Sequence, residues 1–377
     1  MYKKIDLFID KLIEGSTPDA PLWNIESIHQ GKQPAWNYID GCMMTSLLEL
    51  YKQTKDQKYI DFIKEYINYY VFDDGTIRGY DPLNYSTDDI CESRILFDLY
   101  DITGTEKYSK AIEYTYNQIK KHPRTKGGNF WHKKIYPNQV WLDGLFMALP
   151  FYTEYETLRN HKQNYIDILH QFKNVRNLMF DETKKLYYHG YEETKTIFWA
   201  DPKTGLSKNF WLRAMGWYVV AIVDVMSYMD DEHAQNIFFP NLLKEAIDGI
   251  LAHQDPETKL FYQVVDQEKR DGNYLESSGS ALICYAILKG VRLNALDQSY
   301  QQIGIDIFNG ICDTYLTEKD GDLNLEGICL VSGLGPEGNL RRDGTYEYYI
   351  SEPVVANDAK GVAPLIMAYT EIKKILK

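Results

Sequence analysis

Six short segments of this 377-residue chain carry polar groups able to do chemistry. They read WNYIDG at 36–41, STDDICESR at 86–94, VWLDG at 140–144, NFWLRAMGW at 209–217, YLESSGS at 274–280 and ANDAKG at 356–361. Their carboxylates include Asp40, Asp88, Asp89, Asp143, Glu276 and Asp358, and their cations Arg94, Arg213 and Lys360. Two carboxylates brought close together would form the acid–base pair that glycoside cleavage uses. Each acid alone also suits the first turn of a helix, where unpaired N–H groups accept a side-chain oxygen. That plainer explanation fits Asp358 and Ser277 well. It fits Asp143 less well, because Asp143 stands between Trp141, Leu142 and the apolar run LFMALPF. A carboxylate at an apolar, aromatic mouth is a candidate for a raised pKa.

Other groups carry weaker signals. His189 lies in LYYHG, ahead of Trp199 and Trp211, and a lone histidine is usually structural. The eight histidines include no HxH or HExxH spacing, so the residues give no support to a zinc site. GLGPEG at 333–338 fits GxGxxG in letters only: Pro336 interrupts it and no βαβ pattern surrounds it. All seven tryptophans (Trp23, Trp36, Trp131, Trp141, Trp199, Trp211, Trp217) precede the apolar helical stretches or fall in their first turns. One such indole would simply fill space; seven together suggest a cleft that stacks sugar rings.

The elements that would position these groups are helices. ELYKQTKDQKY at 49–59 and DLYDITGTEKY at 98–108 are two copies of one pattern, each between an apolar and an amphipathic stretch. Ile60, Ile63, Ile67 and Tyr70 follow the first copy at helical spacing; Tyr108, Ile112, Thr115 and Ile119 follow the second. Extended along the chain, the periodicity predicts about twelve helices. Six apolar ones begin near 37, 89, 140, 209, 276 and 358. Six amphipathic ones lie near 2–14, 57–71, 105–121, 161–178, 238–254 and 298–316. Strict alternation of the two kinds predicts an all-α, closed (α/α)6 barrel, a single domain over 1–377. An open α-solenoid would use a more uniform repeat. Short β-turn material is expected in 180–200, 255–275 and 321–350.

Composition limits the partners. The chain is 44% hydrophobic with a net charge of −13, and it contains no long Lys/Arg run, so nucleic acid is not an expected partner. No apolar run approaches a membrane span. Five scattered cysteines without CxxC read as reduced thiols, and Asp6 and Asp10 interrupt any signal-like apolar stretch. The expectation is a cytoplasmic protein. Its oligomeric state is left open.

The segment GGNFWHKKIYPNQVWLDGLFMALPFY at 127–152 resembles the signature of glycoside hydrolase family 105. That family contains unsaturated rhamnogalacturonyl hydrolases and is akin to the unsaturated glucuronyl hydrolases. The resemblance continues through STDDICESR, LYYHGYEET, FWLRAMGW, NYLESSGSALICYAILKGVR and GLGPEGNLRRDGTYEYYISEPVVANDAKGV, almost the whole chain. It implies the same barrel, Asp143 as general acid and base, and Asp88 as the second aspartate. His189, Trp211 and Arg213 would hold the unsaturated uronate. His132 and Lys133 would lie near the substrate, and Trp141 and Trp217 would line the pocket, with Trp36 also counted among substrate-binding residues. Two positions depart from the family pattern: Cys91 and Met215 stand where members often carry asparagine.

The implied reaction needs few groups. A lyase leaves a C4=C5 double bond in a terminal uronate, an enol ether with the ring oxygen. Protonation at C4 places positive charge at C5, water adds there, and the hemiketal opens and expels the next sugar. One carboxyl able to give and then take a proton suffices, with no metal or organic cofactor. The expected substrate is a small unsaturated galacturonyl-rhamnose fragment of rhamnogalacturonan; the alternative is an unsaturated glucuronyl fragment. A hydrolase of saturated glycans would need a second carboxylate to activate water at C1. A non-catalytic helical scaffold would not need six polar helix starts.

Overall fold

The computed structural model describes residues 1–319 and 321–376. Its α-helices, in chain order, are α1 (Tyr2–Glu14), α2 (Ile25–Gln30), α3 (Tyr38–Thr54), α4 (Gln57–Tyr70), α5 (Thr87–Glu92), α6 (Ile95–Thr103), α7 (Glu106–Lys121), α8 (Leu142–Leu158), α9 (Tyr165–Met179), α10 (Leu212–Tyr228), α11 (Phe239–Leu251), α12 (Ser277–Arg292), α13 (Tyr300–Tyr315), α14 (Tyr346–Ser351) and α15 (Ala359–Ile375). Helices α3, α5, α8, α10, α12 and α15 pack in that order, and α15 closes on α3. The amphipathic helices α4, α7, α9, α11 and α13 back this ring. The fold is an (α/α)6 barrel.

Burial explains the alternation. Every residue of α10 from Leu212 to Met226 is buried, as expected of a helix apolar on all sides. The outer helices bury one stripe. Ile60, Ile63, Ile67 and Tyr70 of α4, and Tyr108, Ile112, Thr115 and Ile119 of α7, are the buried faces that their spacing predicted. At Gly41 the ring is tight: a Cβ there would stand 2.6 Å from the Cα of Glu92, so α3 and α5 meet backbone to backbone.

The sequence repeat is one structural device used twice. In each copy the inner helix ends in a left-handed residue, Lys55 (φ 61°) or Gly104 (φ 64°). The threonine before it bonds back to the carbonyl four residues earlier, Thr54 to Leu50 at 2.8 Å and Thr103 to Leu99 at 2.6 Å. The chain then turns outward into α4 or α7.

The second inner position is broken in two, which the periodicity did not foresee. A tight turn at Ser93–Arg94 separates α5 from α6, with the Ser93 N–H bonded to the Ile90 carbonyl at 3.0 Å. Arg94 there pairs with Asp224 inside the barrel, and Lys289 reaches the same carboxylate at 2.8 Å. Burial acts to raise the Asp224 pKa, but the two cations outweigh it and hold it at about 2. Arg94 therefore serves the barrel interior and not the mouth.

Among the described residues, eight short strands form four antiparallel pairs: β1 (Gln139–Trp141) with β4 (Gly190–Glu192), β2 (Phe180–Asp181) with β3 (Leu186–Tyr187), β5 (Leu316–Lys319) with β6 (Asp322–Leu325), and β7 (Ile328–Cys329) with β8 (Val354–Val355). Residues 255–275 hold turns and isolated bridges but no strand. All five cysteines are buried and unpaired. Among the described residues, no helix is long and apolar enough to cross a membrane.

Candidate active site

The β1–β4 pair builds the centre of the site. It aligns Trp141 with Gly190 and continues into a bond from the Leu142 N–H to the His189 carbonyl at 3.1 Å. Asp143, in the first turn of α8, is thereby set beside His189. Its Oδ2 lies 3.3 Å from His189 Nε2, and among the described residues neither atom has a hydrogen-bond partner of its own. Asp143 keeps 7% exposure, whereas His189 has none. His189 Nδ1 stands 2.7 Å from the Tyr349 hydroxyl. Burial chiefly pushes the Tyr349 hydroxyl pKa well up, so it keeps its proton. A hydroxyl that donates this proton to Nδ1 leaves the single N–H of a neutral imidazole on Nε2, facing Asp143.

A second group stands across the same cleft. Lys133 is ion-paired with Asp88, and His132 Nε2 lies 3.6 Å from the other Asp88 oxygen. The Thr87 hydroxyl donates to the His132 carbonyl at 2.8 Å, which ties the start of α5 to the WHK segment. Burial would lower the Lys133 pKa, but Asp88 more than offsets this and raises it, so Lys133 is charged. Burial first, then Lys133, push His132 well below the usual histidine range, so it is neutral. The adjacent Asp89 is pushed up to about 7, mainly by burial and then by Asp88.

The aromatic groups divide into wall and support. Trp141 lines the cleft, stacked on His132 with centroids 4.2 Å apart and planes 17° apart. Trp211 lies behind His189, with ring centroids 4.8 Å apart, and its indole N–H donates to Gln263 Oε1 at 3.1 Å. Two expectations are corrected. Trp36 is 1% exposed and spends its N–H on the Asp89 carbonyl at 2.9 Å, so it fixes α5 and does not line the cleft. Trp217, also 1% exposed, stacks on Phe146 between α8 and α10. The idea of seven sugar-stacking indoles fails for the same reason: Trp23, Trp36, Trp199, Trp211 and Trp217 are all fully buried.

Arg213 is likewise not on the cleft wall. Its guanidinium donates to the Cys329 carbonyl and to Ser278 Oγ, and it sits over Trp211 at 5.0 Å. Glu276 and Asp358 are helix caps. Glu276 accepts from the Ser278 and Gly279 N–H groups and from the Cys329 N–H at 3.0 Å; Asp358 accepts from the Lys360 N–H at 2.9 Å. Asp40 accepts the Trp23 indole N–H at 2.7 Å in full burial.

Residues that the motif reading did not single out complete the cleft: Tyr38, Tyr136, Met147, Val331, Ser332 and Arg342. Three of them, Val331, Ser332 and Arg342, come from the segment 330–345, which folds over the mouth. Leu334 is fully buried among Tyr136, Trp141 and Trp199, and the Trp199 N–H donates to the Gly335 carbonyl at 3.1 Å. GLGPEG is thus a cover strapped onto Trp141. The cleft encloses about 380 Å³, part of it open to solvent. Among the described residues, no three His, Cys, Asp or Glu side chains gather as a metal-binding set.

A barrel with paired acids and a histidine at one mouth is the layout of a carbohydrate-cleaving enzyme. The family model described as Glycosyl Hydrolase Family 88 matches residues 19–376. The chain belongs to that family and is a glycoside hydrolase. It is 38% identical to a family 105 glycoside hydrolase of C. acetobutylicum ATCC 824, with a TM-score of 0.90 and 99% of each chain covered. It is 25% identical over 265 residues to the unsaturated rhamnogalacturonyl hydrolase YesR of Bacillus subtilis (strain 168), covering 69% of this chain and 72% of that protein. An unsaturated glucuronyl hydrolase specific for heparin shares the fold, with a TM-score of 0.70 at 15% identity over 100% of this chain and 96% of the other.

Proposed function

We propose that this enzyme removes a terminal 4,5-unsaturated galacturonic acid from rhamnogalacturonan-derived oligosaccharides, an unsaturated galacturonyl-rhamnose being the simplest. One observation carries the reading: Asp143 lines a polar cleft while its buried Oδ2, without a hydrogen-bond partner among the described residues, lies 3.3 Å from His189 Nε2. The similarity to YesR supports the choice of sugar.

Asp143 in its protonated form gives its proton to C4 of the enol ether. Positive charge develops at C5 and is shared with the ring oxygen. The resulting carboxylate then takes a proton from water as the water oxygen bonds to C5. The hemiketal opens and the rhamnose side leaves. His189, held by Tyr349, keeps its Nε2–H on Asp143 and stabilises the carboxylate formed after the first step. Asp88, oriented by Lys133, accepts hydrogen bonds from ring hydroxyls. Trp141 offers a flat face to the unsaturated ring. Trp211 and Arg213 act from behind, by fixing His189 and the Cys329 segment. The reading takes all 377 residues as one catalytic unit. It also takes the cytoplasm as the site of action, which five unpaired cysteines support.

The test follows the ultraviolet absorbance of the conjugated double bond during incubation with unsaturated galacturonyl-rhamnose, beside Asp143→Asn. Loss of general acid catalysis costs about a hundredfold or more. A fall in absorbance that the variant lacks supports the reading. A flat trace with the wild type, or an equal fall with the variant, overturns it.

A further inference from the structure

The cleft holds two carboxylates, and an anionic sugar must enter beside them. Asp88 is already neutralised by Lys133, His132 is uncharged, and Arg213 is committed to Cys329 and Ser278. Without a further cation, an entering uronate carboxylate would lose its water with nothing to pair with, and burying an unpaired charge is costly.

Arg342 is that cation. It lies in the segment over the mouth, half-buried, and lines the cleft with Asp88 and Asp143. Its backbone is pinned, since its carbonyl accepts the Gly335 N–H at 2.8 Å. Its side chain is not: among the described residues, its guanidinium has no hydrogen bond or ion pair. The neighbouring Arg341 is spent on Glu352 at 2.6 Å, so the two adjacent arginines have different duties. A Cβ placed on Gly333 would be 3.2 Å from Arg342 Nη1 and 3.3 Å from Trp141 Cζ3, which sets the guanidinium beside the indole on the cleft wall.

We propose that Arg342 is the anchor for the substrate carboxylate, engaging it in a forked contact and making a free acid a requirement of the site. This rests on the reading of the site as an unsaturated uronyl hydrolase. Glycine at 333 lets the guanidinium lie against Trp141 and reach the acid at C5 of a ring stacked there.

The test compares the unsaturated disaccharide with its methyl ester, using wild type, Arg342→Gln and Arg342→Lys, all checked for unchanged thermal unfolding. For the free acid, Arg342→Gln should raise KM about 10- to 100-fold, the size of a charge-assisted bidentate contact. Its kcat should change far less, and lysine should restore part of the loss. The ester should respond little to either variant. An Arg342→Gln enzyme with an unchanged KM for the acid, or with equal losses on acid and ester, overturns the inference and leaves the proposed function intact. If the wild type turns over neither compound, the proposed function fails and the anchor is judged by binding alone. Galacturonate is then titrated against galactose by tryptophan fluorescence. A preference for the acid in wild type that Arg342→Gln lacks supports the anchor; no preference, or one that survives the change, sinks it.

Discussion

His189 stands between Asp143 and Tyr349, with Nε2 at 3.3 Å from the carboxylate and Nδ1 at 2.7 Å from the phenol hydroxyl. These residues come from three places: the start of α8, the turn into β4 and the short helix α14. The phenol selects the imidazole tautomer, and the tautomer decides whether Asp143 meets a hydrogen-bond donor or a lone pair.

Tyr349→Phe should therefore lower kcat without abolishing it. Loss of one hydrogen bond of about 1 kcal/mol corresponds to roughly a fivefold change in rate. His189 would then be free to rotate or change tautomer, so the pH profile of kcat should shift as well. An unchanged kcat and an unchanged profile in steady-state assays would show that the phenol has no part in setting the imidazole.

Gly190→Ala should loosen the cover over the cleft. A Cβ at 190 would stand 2.3 Å from Leu334 Cδ1 and 3.2 Å from Trp141 Cδ1, and Leu334 is fully buried with no room to yield. Overpacking of this kind costs about 1–3 kcal/mol. Activity should fall with stability, because the displaced segment carries Ser332 and Arg342 to the site. Adding Leu334→Ala should recover part of the stability, a coupling that denaturant unfolding of the single and double variants measures.

Asp40→Asn should change the pH dependence of stability. Burial first, and Asp358 among its neighbours, hold the Asp40 pKa at about 7, while hydrogen bonds from Trp23 and others only partly oppose this. The folded state thus binds the proton more tightly than the unfolded chain. The stability this group contributes is present below its unfolded value near 3.8 and is lost as pH rises through about 7. Asparagine keeps an oxygen for the Trp23 N–H and carries no charge. Relative to wild type, the variant should gain stability between pH 5 and 8, by at most about 4 kcal/mol. Parallel unfolding curves for the two proteins across that range would refute the assignment.

Much of the architecture was legible because helix periodicity is a local property. The boundaries of α1 and α4 fall where the apolar spacing of residues 2–14 and 57–71 ends. The two Leu-Tyr-x-x-Thr copies mark the same outward turn, since a left-handed cap and a threonine back-bond are set within a few residues. The break at Ser93–Arg94 was not legible, because its partner Asp224 lies 130 positions away.

The sequence by itself determined the alternation of inner and outer helices and drew attention to Asp143, Asp88, His132 and Lys133, which do share one cleft. Only the tertiary structure decided what the remaining polar and aromatic groups do. It turned Glu276 and Asp358 into caps, placed Trp36 and Trp217 in the packed interior, and tied Arg213 to Cys329. It also carried Tyr349 to His189 and Arg342 to the mouth. The physical reason is that a side chain's role follows from what faces it. In a closed ring, facing residues come from elements that close on one another across the barrel, far beyond the few residues over which local spacing carries information.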